Sequence, residues 1–82
     1  MLKTLPSVSY GSTVTVRREF TTKPKTYHIL GYTDLSRNIV SAEHVIGKSL
    51  MHHKQGEKVL IDDPKLYYFV EILEVKNQTI NN

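Results

Sequence analysis

The segment LYYFVEILEV at positions 66–75 is the longest and most apolar run of the chain. Successive side chains of a strand point to opposite faces, and here both faces receive large apolar groups. The two predicted sets are Leu66, Tyr68, Val70 and Ile72 on one face, and Tyr67, Phe69, Leu73 and Val75 on the other. A strand that is apolar on both faces belongs in the interior of a sheet. We therefore expect 66–75 to be a central strand with a helix covering one face.

Shorter upstream segments also have the character of strands, at 13–17, 26–30, 39–42 and 59–61. In the first of them β-branched residues predominate, and Val14 and Val16 share a face. Pro24 lies between the first two segments and lacks the N–H that a central strand donates, so it indicates a turn. A hairpin is the simplest pairing of these two strands. A second turn is predicted at 62–65, DDPK, directly before the last strand.

Residues 44–53 have the period of a helix instead. One helical face collects the apolar and small side chains Val45, Ile46, Ser49, Leu50 and Met51. Gly56 is expected either to close the helix or to open a turn, because glycine adopts positive φ without strain. The sequence thus predicts an α+β fold, a twisted antiparallel sheet of about five strands with one short helix at about 44–53. We predict a single domain over residues 1–82, with an ordered core at about 8–76 and a polar tail at 77–82.

Composition narrows the class of protein. The chain has 82 residues, 39% of them hydrophobic and 23% charged, as in ordinary soluble domains. It has no cysteine, which excludes disulfides, thiolate zinc sites and a cysteine nucleophile. No apolar run approaches the roughly 20 residues that span a bilayer, and the N-terminus is too short for a secretory signal. We expect a cytoplasmic protein that has no contact with membranes.

The net charge of +3 arises from basic residues that are scattered along the chain. A nucleic-acid-binding surface usually shows a denser basic stripe with aromatic residues between the charges. We therefore expect at most weak, non-specific binding to DNA or RNA.

No motif in the chain predicts catalysis. His52 and His53 are adjacent, so on a helix they point about 100° apart and cannot share a metal ion, and His28 and His44 are isolated. Neither a Gly-x-Ser-x-Gly elbow nor a phosphate-binding glycine run occurs. We predict a small binding module with no catalytic residues, no metal site and no cofactor.

Three segments occur in the order and with nearly the spacing of a known family. They are VSYGSTVTV at 8–16, KTYHILG at 25–31 and NIVSAEHVIGKSLMHHKQGEKV at 38–59. Together they resemble the C-terminal domain of the GreA/GreB transcript-cleavage factors, over roughly residues 8–75. The resemblance implies an FKBP-like fold, an antiparallel half-wrapped sheet packed on a short helix.

The resemblance also implies a partner. In this family the domain docks on bacterial RNA polymerase at the rim of the secondary channel, while an N-terminal coiled coil delivers the residues needed for RNA cleavage. No helical heptads precede Tyr10. We expect docking, without stimulation of cleavage by this chain alone.

The polymerase contact of the family centres on an Asp-Ser-Pro tip before the helix, which aligns with Glu43, His44 and Val45. Glu43 keeps the acid, whereas the changes to His44 and Val45 are expected to remove a good helix cap and a preferred first helical residue. Asp34 lies in the loop that borders the docking edge in the family. In a second interpretation, Glu43 is a solvated acid whose charge is favourable near a helix N-terminus.

Two alternatives stay open at this point. An FKBP-like fold is compatible with a peptidyl-prolyl isomerase or with a general protein-interaction domain. The chain has no tryptophan that could form the base of an isomerase pocket. An exposed edge strand would also let two copies pair, so we expect a monomer or a weak dimer.

Overall fold

The computed structural model describes residues 6–77 as one curled sheet that carries a short helix. The elements are β1 (Thr13–Arg18), β2 (Lys25–Leu30), a 3₁₀ turn (Leu35–Arg37), β3 (Ile39–Ser41), α1 (Val45–Leu50), β4 (Lys58–Asp63) and β5 (Leu66–Lys76). The strand order is β3-β2-β1-β5-β4, so β5 lies inside the sheet as predicted. The α+β class and the five strands are confirmed. The predicted tail lies outside the described residues except for Asn77.

The sheet is mixed, which corrects the prediction of an antiparallel one. β1 pairs antiparallel with β2 and β5, and β4 pairs antiparallel with β5, but β3 runs parallel to β2. The connection between β2 and β3 reverses the chain in the 3₁₀ turn and at Asn38, whose φ is 59°. Asp34 and Ile39 then exchange backbone hydrogen bonds of 2.8 and 3.0 Å, which returns the chain alongside β2 in the same direction.

The helix is shorter than the predicted 44–53. It begins at Val45 and ends at Leu50, and His52 adopts a φ of 69°. The N-terminal segment prevents the helix from continuing past this point. The His52 N–H donates to the Val8 carbonyl, and the Val8 N–H donates to the His53 carbonyl. Gly56, at φ 93°, belongs to the following turn.

A β-bulge changes which side of β5 faces the core. Thr15 pairs with Glu74 and Val16 pairs with Ile72, so Leu73 is an extra residue on β5. As a result Val75 is buried on the same side as Val70 and Ile72, although simple alternation placed it on the opposite face. The outer face of β5 is open to solvent: Tyr67 is 65% exposed and Phe69 is 40% exposed.

The helix packs against the inner face of the sheet. Leu50 is fully buried there among residues of β1, β2, β4 and β5. Gly47 makes the close approach possible, because a Cβ at this position would overlap the Ser41 carbonyl oxygen at the end of β3. Within residues 6–77 no helix is both long enough and apolar enough to cross a bilayer.

Candidate functional site

The predicted docking residues lie in a turn between β3 and α1, which we call the tip (residues 41–45). The Ser41 side chain accepts a 3.0 Å hydrogen bond from the Glu43 N–H, and the Ser41 carbonyl accepts another of 3.0 Å from the His44 N–H. Serine side chains commonly stabilise turns by forming a hydrogen bond with the backbone of the residue two positions later. The tip backbone is therefore held by Ser41 in one conformation.

His44 is the N-cap of α1, which corrects the expectation that the helix lost its cap. Its backbone is extended, at φ −67° and ψ 150°, and its Nδ1 accepts a 3.2 Å hydrogen bond from the Ile46 N–H. The His44 carbonyl also accepts from the Lys48 N–H at 2.7 Å. Histidine can take the place of the expected serine because its ring nitrogen also accepts a hydrogen bond. The donor is a backbone N–H of the first helical turn, which has no partner within the helix. This geometry requires an unprotonated Nδ1.

Glu43 is exposed immediately before this cap, and its carboxylate makes no ion pair within the described part of the chain. Val45, the first helical residue, is half-buried, and its carbonyl accepts a 2.7 Å hydrogen bond from the Ser49 hydroxyl. The tip thus presents one free carboxylate on a backbone that its neighbours hold in place. Such a group can approach a basic surface without first breaking an internal contact.

Asp34 is positioned differently, because its carboxylate has internal partners. Oδ1 accepts hydrogen bonds from the Ser36 N–H at 3.2 Å and the Ser36 hydroxyl at 2.6 Å, and Oδ2 lies 3.6 Å from Arg37 Nε. The adjacent Thr33 hydroxyl accepts a 3.0 Å hydrogen bond from the Ser41 N–H. The loop containing Asp34 is therefore attached to the tip through Ser41, while the Asp34 side chain stabilises its own turn.

The histidine pair lies after the helix. His53 Nδ1 is 3.0 Å from Glu57 Oε1, and Glu57 Oε2 accepts a 2.7 Å hydrogen bond from the Lys54 N–H. The hydrogen bond from His53, followed by that from the Lys54 backbone, lowers the pKa of Glu57 below its ordinary value. Over residues 6–77, no three side chains of His, Asp or Glu converge to hold a metal ion.

Comparison with known families matches residues 3–77 to the model described as "Transcription elongation factor, GreA/GreB, C-term". The chain belongs to the GreA/GreB family. It is 39% identical over 71 residues to the transcription elongation factor GreA of Streptococcus pyogenes serotype M5 (strain Manfredo), covering 84% of this chain and 44% of that protein. The GreA of Maridesulfovibrio salexigens is 35% identical over 60 residues, covering 71% of this chain and 38% of that protein. The chain thus spans less than half the length of these relatives.

Solved structures of the family share the fold. The structure of GreA factor homolog 1 from Thermus thermophilus matches with a TM-score of 0.75 at 16% identity, over 89% of this chain and 50% of that chain. The GreA/GreB factor from Nitrosomonas europaea matches with a TM-score of 0.63 at 25% identity, over 79% of this chain and 56% of that chain. These structures confirm the curled five-stranded sheet with one short helix, and the pairing of β3 with β2 makes that sheet mixed.

Proposed function

We propose that this GreA/GreB C-terminal domain binds bacterial RNA polymerase at the rim of the secondary channel, in the cytoplasm. The observation that carries the proposal is the exposed Glu43 carboxylate on the tip, at the position of the family's acidic contact. An exposed carboxylate on a fixed backbone complements a basic patch on a partner and speeds correct association. This chain would supply the docking step, and stimulation of RNA cleavage would require a further segment.

His44 and Val45 complete the proposed contact. His44 caps the first helical turn, and Val45 contributes a half-buried apolar side chain at the first helical position. Asp34 forms the second side of the surface, because its loop is attached to Ser41 through Thr33. Since the Asp34 carboxylate is engaged by Ser36 and Arg37, we expect Asp34 to act mainly by shaping the loop.

Binding of the purified domain to core RNA polymerase, measured by biolayer interferometry, tests this proposal. Glu43→Lys should weaken saturable binding at least about tenfold, because a like charge against a basic patch is strongly unfavourable. Glu74→Lys is the matched control: it makes the same charge change at an exposed glutamate of β5 outside the tip and should bind as the wild type does. Absence of wild-type binding, or equal losses in both variants, would contradict the proposal.

A further inference from the structure

Within residues 6–77 the sheet has one covered edge and one open edge. The covered edge is β3, a strand of three residues whose outward backbone groups are used by the chain itself. Ile39 exchanges backbone hydrogen bonds with Asp34. The Ser41 N–H donates to the Thr33 hydroxyl at 3.0 Å. The loop before β3 therefore closes this edge, which is one way in which proteins prevent a strand from pairing with another chain.

The open edge is β4, a strand of six residues that pairs with β5 without interruption. In the described part of the chain no strand lies beyond it. The Asp62 N–H points away from β5, since it donates to the Ser49 hydroxyl of α1 at 3.4 Å. Backbone groups alternate in direction along a strand, so those of Leu60 and Lys58 also point away from β5. Their N–H and carbonyl groups are available to a further strand.

The outward side chains of β4 are arranged symmetrically about Leu60. Lys58 precedes it by two residues and Asp62 follows it by two, and both are exposed. Neither makes an ion pair within residues 6–77. If two identical strands pair antiparallel with Leu60 at the centre, Lys58 of each copy lies opposite Asp62 of the other. This self-complementary pattern favours a second copy of the chain over an unrelated strand.

The same side chains disfavour other alignments of the two strands. A shift of two residues places Leu60 opposite Lys58 or Asp62, and a shift of four places Lys58 opposite Lys58 or Asp62 opposite Asp62. Like charges directly opposite one another are destabilising. The centred alignment instead brings the two Leu60 side chains together, and each already lies opposite Phe69 of its own β5. Leu60 and Phe69 are each 40% exposed, so pairing reduces the contact of this apolar row with water.

We propose that two copies of this chain pair antiparallel along β4, with a two-fold axis at Leu60. The Leu60 N–H of each copy donates to the Leu60 carbonyl of the other. The Asp62 N–H donates to the Lys58 carbonyl of the second copy in place of the Ser49 hydroxyl, whose 3.4 Å contact is longer than an ordinary hydrogen bond. Ser49 keeps its own 2.7 Å hydrogen bond to the Val45 carbonyl. The proposal goes beyond polymerase docking at the tip and does not depend on it.

Sedimentation equilibrium of the 82-residue chain tests this pairing. We expect a reversible dimer with a dissociation constant between about 10 μM and 1 mM, because one pair of strands buries less surface than a stable interface does. Lys58→Glu and Asp62→Lys should each weaken the dimer at least about tenfold, since each places like charges opposite one another. Lys23→Glu makes the same charge change as Lys58→Glu at an exposed residue outside β4, and should dimerise as the wild type does. A wild-type chain that is monomeric up to about 1 mM would overturn the proposal.

An equimolar mixture of Lys58→Glu and Asp62→Lys tests the alignment of the two strands. In the mixed pair the two introduced charges lie opposite each other, and the native Asp62 of one variant lies opposite the native Lys58 of the other. Association should therefore return to within about threefold of the wild-type dissociation constant. Single variants that dimerise as well as the wild type, or a mixture that does not recover, would show that the copies do not meet along β4 in this alignment.

Amide hydrogen exchange of the wild type gives a measurement that needs no substitution. Raising the protein concentration from about 10 μM to 1 mM should slow exchange of the Leu60 N–H at least about twofold, because pairing protects it from water. The Val59 N–H points towards β5 in the monomer and in the dimer, so it is the internal control. Leu60 exchange that does not depend on concentration, in a sample that dimerises, would place the contact at another surface and refute the proposal.

Discussion

The tip and the apolar cleft between α1 and the inner face of the sheet are built in opposite ways. Within residues 41–49, the tip is held by hydrogen bonds between residues two to four apart, such as Glu43 to Ser41 and Ile46 to His44. The cleft takes its lining from β1, β2, α1, β4 and β5, whose residues are far apart in the chain. A surface of the first kind keeps its shape as long as one short segment is intact. A surface of the second kind requires the whole sheet, so it responds to changes in packing anywhere in the core.

Gly47 joins the two regions, and its substitution should have the largest effect. In Gly47→Ala the new methyl group meets the Ser41 carbonyl, so α1 must move away from β3 at the cost of about 1–3 kcal/mol in the free energy of unfolding. Polymerase binding should also fall. Urea denaturation measures the stability change, and Lys48→Ala, at an exposed position of the same helix, should change it by less than about 0.5 kcal/mol. Wild-type stability of Gly47→Ala would show that the helix can approach the sheet without this glycine.

His44 belongs to the tip and does not line the cleft, so its substitution tests the tip alone. His44→Ala removes the acceptor for the Ile46 N–H and should destabilise the domain by about 1 kcal/mol. His44→Ser restores a capping oxygen and should recover most of that stability. Thermal unfolding of both variants provides the measurement. If His44→Ser were as unstable as His44→Ala, the imidazole would be stabilising the tip by some contact other than the cap.

Phe20 lines the cleft with an exposed ring, so its substitution should not lower stability. Asparagine tolerates the left-handed conformation better than phenylalanine does, so Phe20→Asn should leave the free energy of unfolding unchanged or raise it by about a few tenths of a kcal/mol. Urea denaturation of the variant and of the wild type provides the measurement. A clear loss of stability would mean that the ring contributes to folding.

The smallest effect is expected at Glu57, outside both regions. Its pKa is lower in the folded chain than the ordinary value of 4.5, so its ionised form stabilises the fold above that pH. This contribution is lost as the pH falls from about 4.5 through the lowered pKa. Glu57→Gln should therefore show a slightly shallower loss of stability over that acid range, measured as the urea midpoint against pH. An identical pH profile for the two proteins would contradict the role assigned to the His53 and Lys54 contacts.

Local pattern predicted the features that depend on neighbouring residues. Alternation in 13–17 placed Val14 and Val16 on one face, and both are buried in the structure. Pro24 indicated the turn between β1 and β2. The position of the tip followed from the resemblance of 38–59 to the family. The His44 cap was missed because the prediction considered hydroxyl caps. Its signal in the sequence is a histidine with a ring acceptor at the aligned capping position.

By itself, the sequence determined the strand segments, the one short helix and the absence of disulfides. These follow from side-chain period, turn chemistry and composition, all of which are local properties. Only the tertiary structure decided the parallel pairing of β3, the bulge that turns Val75 inward, and the cleft between α1 and the sheet. Strand direction, register and cavity shape depend on contacts between residues far apart in the chain, and no local period specifies which distant partner a strand will meet.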